Sequence, residues 1–143
     1  MSKKKKYTLD FDEPEAYIMI GLSSHHPDYR LAWNINEVLD LQLEKADEWF
    51  YLVNKKGVTL SFHPYFLYLD EENLTQYYLI KNKHEGKYLT PEKPMLDYLF
   101  FSTNQFLLSE EEIIAKLKKG SSILGVFSLN AKELKSTENI IFD

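Results

Sequence analysis

Hydrophobic positions change their spacing several times along this chain, and each change predicts an element. The run Ala16-Tyr17-Ile18-Met19-Ile20-Gly21-Leu22 is continuous and rich in β-formers, and an acidic turn, Asp10-Phe11-Asp12-Glu13-Pro14, precedes it. That is the pattern of a central strand covered on both faces. Ser23-Ser24-His25-His26-Pro27-Asp28 then offers polar cap candidates, a proline suited to a first helical turn and an acid for the positive end of the dipole. Leu31, Ala32, Ile35, Val38 and Leu39 follow at helical spacing, so 27–41 is predicted as a helix with one face on a sheet.

From Trp49 the period falls to two. Trp49 to Val53, the glycine-containing loop Asn54-Lys55-Lys56-Gly57, and Val58 to Phe62 predict a hairpin. Pro64 interrupts the next run, and Tyr65 to Leu69 is read as the same strand continuing beyond a bulge near an edge. Asp70 to Asn73 turns the chain into a strand from Leu74 to Ile80, and 82–86 is a looser turn before Tyr88 and Leu89. Pro91 and Pro94 impose an irregular crossing into a strand from Met95 to Phe101. Ser109 and Glu112 have the spacing of a capping box. The helix it opens should run to Lys119, where Gly120 closes it in the left-handed conformation. Ile123 to Leu129 reads as a strand, Ala131 to Lys135 as a short turn, and Ile140 to Phe142 as extended. The sum is α+β: a curved, mainly antiparallel sheet of five to seven strands with two main helices on one face.

Aromatic residues sharpen this picture. Phe50-Tyr51, Tyr65-Phe66, Tyr77-Tyr78 and Phe100-Phe101 are adjacent pairs, and neighbours on a strand point to opposite sides. Both faces of the sheet should therefore be apolar. Helices covering one face leave the other to the chain termini or to a second subunit, which predicts a homodimer.

At 143 residues, with 44% hydrophobic and 27% charged positions, the chain is sized and composed for one globular domain. We divide it into a basic leader, 1–6, and a single α+β domain, 7–143. No apolar stretch approaches the ~20 residues of a transmembrane helix. Acidic residues follow the leader where a signal peptide would be apolar. The absence of cysteine suits a reducing compartment, so a cytoplasmic protein is expected. Four of the 17 basic residues are Lys3 to Lys6, which leaves 13 against 22 acids, or −9, for the remainder. A body so acidic is a poor partner for nucleic acid. No nucleic-acid, membrane or cofactor partner is expected, and a small-molecule ligand stays unspecified.

Thr90-Pro91-Glu92-Lys93-Pro94-Met95-Leu96-Asp97-Tyr98 resembles the motif that names the IPExxxVDY family of small bacterial proteins. Pro91, Glu92, Asp97 and Tyr98 match, whereas Thr90 and Leu96 stand where the motif has Ile and Val. The likeness extends to Tyr29-Arg30-Leu31-Ala32-Trp33 with Asn36, and to Leu134-Lys135-Ser136 with Asn139 to Phe142. The resemblance implies no activity, substrate or cofactor.

Glu92 and Asp97 are the candidate acid–base pair, since carboxylates in unlike surroundings can divide that work. The structural alternative has Glu92 answering free amides at the proline turn, and Asp97 pairing with a cation or capping a neighbouring segment. His25 and His26 lack the further ligands a metal needs, so no metal site is assigned. Ser23, Ser24 and His25 lack the context of a nucleophile and base, and the serines read better as caps. No glycine-rich phosphate loop exists. No catalytic residue is assigned. Two functions stand open: a non-enzymatic protein-interaction or self-associating domain, or a ligand-binding or catalytic domain. The second would place a pocket beside Pro91, Glu92, Asp97 and Tyr98, with His25 or Arg30 as accessory polar groups.

Overall fold

The computed structural model describes residues 17–104 and 107–142; the basic leader and the acidic turn at 10–14 lie outside them. In chain order the elements are β1 (Tyr17–Ser23), α1 (Asp28–Leu39), β2 (Glu44–Lys45), β3 (Phe50–Val53), β4 (Thr59–His63) and β5 (Tyr65–Asp70). There follow β6 (Thr75–Lys81), β7 (Lys83–His84), β8 (Lys87–Tyr88), β9 (Tyr98–Asn104), α2 (Glu110–Leu117) and β10 (Gly125–Leu129). Two 3-10 turns, Ala131–Glu133 and Lys135–Asn139, come after β10. The fold is α+β. Its main sheet has six strands in the order β10-β1-β9-β6-β5-β2, all antiparallel to their neighbours, and β3-β4 and β7-β8 form separate two-stranded ribbons.

The aromatic pairs divide as a pleated strand requires. On one face, Ile20, Phe100 and Leu79 make a cross-strand row beneath Leu31, Ile35 and Leu39 of α1 and Ile113 and Leu117 of α2. On the other, Met19, Phe101 and Tyr78 make the corresponding row. The cover on this outer face comes from the chain itself. Phe50 and Leu52 arrive on β3, Leu89 and Leu96 from the proline crossing, and Leu134 and Ile140 from the 3-10 turns. The Phe142 ring lies 4.5 Å from Tyr78 and 4.9 Å from Phe101, centroid to centroid. The face therefore offers no reason for a second subunit to cover it.

Several local expectations change. Pro64 begins a new strand in another sheet instead of continuing β4 past a bulge. The proline cannot extend the β3-β4 ladder, and the chain turns there into β5, which pairs with β6. The 82–86 turn is a tight hairpin, with Glu85 and Gly86 both at positive φ joining β7 to β8. Helix α1 has no side-chain cap, because its N-cap position is held by Pro27, which carries no acceptor, while Ser24 bonds elsewhere. The Ser109–Glu112 capping box is formed, but α2 ends at Leu117. Positive φ among the described glycines occurs only at Gly57 and Gly86, so Gly120 does not close α2 in the left-handed conformation. A Cβ on Gly120 would stand 2.6 Å from Asn34 Oδ1; close approach of α1 explains that glycine.

Candidate functional site

The proline crossing is organised by Asn82, a residue with no sequence signature. Fully buried at the end of β6, it donates from Nδ2 to the Lys93 carbonyl (3.0 Å) and the Leu96 carbonyl (2.8 Å). Its Oδ1 accepts from the Thr90 amide (2.9 Å) and the Thr90 hydroxyl (3.1 Å). Its backbone amide donates to the Asp97 carbonyl, and its carbonyl accepts from the Leu89 amide. One side chain thus satisfies the polar groups of an irregular segment that has no ladder of its own. Leu96, held in this way, lies over Gly21 of β1, where a Cβ would meet its Cδ1 at 2.3 Å.

The motif's polar side chains point to two different parts of the chain, the loop before α1 and the C-terminal turn. Asp97 Oδ2 accepts from the Ser24 amide (2.9 Å), which fixes the loop between β1 and α1. Tyr98, buried beneath the helices, donates its hydroxyl to the His26 carbonyl (2.9 Å). Burial, with the nearby charges of Asp28 and Asp97, pushes that hydroxyl up to about 12, so it keeps its proton at neutral pH. Glu92 reaches the far end of the chain. Its Oε1 accepts from the Ser136 hydroxyl (2.7 Å) and its Oε2 from the Ser136 amide (2.8 Å). Partial burial opposes ionisation of Glu92, but the Ser136 bonds, joined by the Glu92 and Lys135 amides, outweigh it and hold the carboxyl below its usual range. The 3-10 turn at Lys135–Asn139 has no cap from its own flank, and Glu92 supplies one from 44 residues away.

Glu92 and Asp97 are thus engaged separately, one at the C-terminal turn and the other at the α1 entrance. Pro91, His25 and Arg30 are exposed. Ser24 donates to the Ser122 carbonyl and accepts from the His26 amide, so its hydroxyl braces the loop.

A second polar cluster forms around His63 and His84, which are 21 residues apart in sequence. His63 is 0% exposed, and its Nε2 shares a 2.8 Å hydrogen bond with Ser61 Oγ. Burial drives its pKa from 6.5 down to about 4, with the Lys81 backbone raising it and His84 lowering it further. The His84 ring lies 6.3 Å away, packed on Trp49 and Phe62, and donates through Nδ1 to the Phe62 carbonyl. Alternation in β4 could have paired Ser61 with His63; the approach of β7 could not have been read locally.

Among the described residues, no group of three His, Asp or Glu side chains could hold a metal ion, and no helix is long and apolar enough to cross a membrane. Exposed apolar side chains are spread over the surface: Ile141 is 70% exposed, Met95 on the crossing 65% and Trp49 beside His84 42%. Tyr29 and Trp33, one turn apart on α1, are 67% and 63% exposed, and Leu124 and Phe127 at β10 are 64% and 47% exposed. Compared with known proteins, the chain matches no family model, no curated protein and no solved structure.

Proposed function

We propose that this chain is a non-enzymatic protein-interaction or self-associating domain of a small cytoplasmic protein, as its resemblance to the bacterial IPExxxVDY proteins allows. One observation carries the reading: the motif side chains are committed to internal bonds, while large apolar side chains stand in solvent on α1 and β10. Glu92, Asp97 and Tyr98 join the crossing to the C-terminal turn and the α1 entrance. Tyr29, Trp33, Leu124 and Phe127 stabilise little where they are, and exposed aromatics of this kind suit contact with another polypeptide.

Photo-crosslinking side chains placed at Trp33, Phe127 and Met95, in cells, test this. Met95 is exposed on the proline crossing. Covalent adducts with polypeptide from Trp33 or Phe127, and none from Met95, are expected. No polypeptide adduct from either Trp33 or Phe127 would overturn the reading.

A further inference from the structure

The edge of the main sheet at β10 has the chemistry of a pairing site. Among the described residues β10 joins β1 on one side only, and its other row of backbone donors and acceptors meets no strand. Proteins blunt such edges with charge, proline, bulges or brevity. The opposite edge is blunted in that way, because β2 is two residues long and both, Glu44 and Lys45, are charged and exposed. β10 reads Gly-Val-Phe-Ser-Leu, with no charge and no proline, and its register with β1 runs from Gly125 to Leu129 without a bulge.

The flanking helix indicates what pairs there. Helix α2 packs beside β10 and runs against it: Glu110 accepts from the Ser128 hydroxyl at one end, and the other end leads through Gly120 into Gly125. Its first turn carries Glu110, Glu111 and Glu112, and Lys116, Lys118 and Lys119 crowd its last turn and the residues just after. A second copy related by a two-fold axis at Phe127 would pair β10 with β10 antiparallel. That brings the acidic end of each α2 to the basic end of the other. The same axis sets exposed Leu107, before α2, towards the partner's exposed Leu124. On the outer face it places Phe127 directly across from the partner's Phe127, a favourable cross-strand pair.

Resting on the protein-interaction reading above, we propose that the partner is a second copy of this chain, joined β10 to β10 across a two-fold axis into a continuous twelve-stranded sheet. A parallel arrangement would instead set like-charged helix ends together.

Light scattering on the purified full chain tests the pairing. The wild type should have twice the 16.9 kDa chain mass at high micromolar concentration. Phe127→Lys sets two lysines face to face and should raise the dissociation constant at least about tenfold. Two exposed helix substitutions guard against a folding artefact. Glu111→Lys and Lys118→Glu should each weaken association several-fold alone, and mixing the two variants should restore it, because each altered end then meets its opposite. A monomeric wild type would overturn the pairing while leaving the protein-interaction reading in place, since only crosslinking silence at Trp33 and Phe127 removes that. A dimer indifferent to Phe127→Lys, or no recovery on mixing, would also overturn it.

Discussion

Lowering the pH should unfold this protein in part through one buried imidazole. His63 has no solvent exposure, and its pKa falls from 6.5 in the unfolded chain to about 4 in the fold. Above pH 6.5 it is neutral in both states and adds no pH dependence. Between 6.5 and 4 the unfolded chain takes up a proton that the folded chain refuses, so stability drops as pH falls. Below 4 both states are protonated and the loss is complete. At 1.36 kcal/mol per pH unit, the difference amounts to about 3 kcal/mol, a large part of a small domain's stability. His63→Gln keeps a polar group near Ser61 but cannot titrate. Urea unfolding, followed by the fluorescence of Trp33 and Trp49 at a series of pH values, gives both stability curves. Groups other than His63, including Glu92, cancel in the difference between them. The curves should run parallel above pH 6.5 and diverge below it, the wild type losing about 3 kcal/mol more by pH 4. Parallel curves throughout would refute a neutral, desolvated His63 on β4.

Three further outcomes follow from the proline crossing. Asn82→Ala strands the Lys93 and Leu96 carbonyls and the Thr90 amide, and should cost about 4 kcal/mol in urea unfolding; a loss under about 1 kcal/mol would mean that Asn82 does not organise the segment. Glu92→Gln should cost about 1 kcal/mol and speed hydrogen exchange in 134–142, leaving Ser24 protected. Because the Glu92 carboxyl is held below its usual range, its contribution is present above the ordinary carboxylate pKa and is lost as pH falls through the folded value. Gly21→Ala drives a methyl into Leu96 and should cost about 1–3 kcal/mol by overpacking, with Leu96→Ala in the same chain recovering part of that loss.

The elements that can be read from sequence are those whose signals are local. Adjacent pairs such as Tyr77-Tyr78 and Phe100-Phe101 announced a sheet buried on both faces, and Ser109 with Glu112 announced the start of α2. The helical spacing of Leu31, Ile35 and Leu39 gave α1 to within a turn. The misreadings share a cause, which is that a distant segment decides the outcome. Pro64 lies at a corner between sheets because β6 recruits the next strand. Gly120 is set by the approach of Asn34. The cover over Met19, Phe101 and Tyr78 comes from Phe50, Leu96 and Phe142, which no local pattern brings together. The motif was visible as a spacing of Pro91, Glu92, Asp97 and Tyr98, but its bonds run to Ser136, Ser24 and His26. Asn82, which bonds more of the crossing than any motif residue, resembles any other asparagine before a turn.

Concentration-dependent hydrogen exchange on the wild-type chain tests the central claim most directly, because it watches the motif and the sheet edge in one experiment. Raising the protein concentration should slow exchange at Gly125–Leu129 and leave Thr90–Tyr98 unchanged. Protection gained at Thr90–Tyr98 and not at Gly125–Leu129 would contradict the account, making the proline crossing the surface that meets a partner.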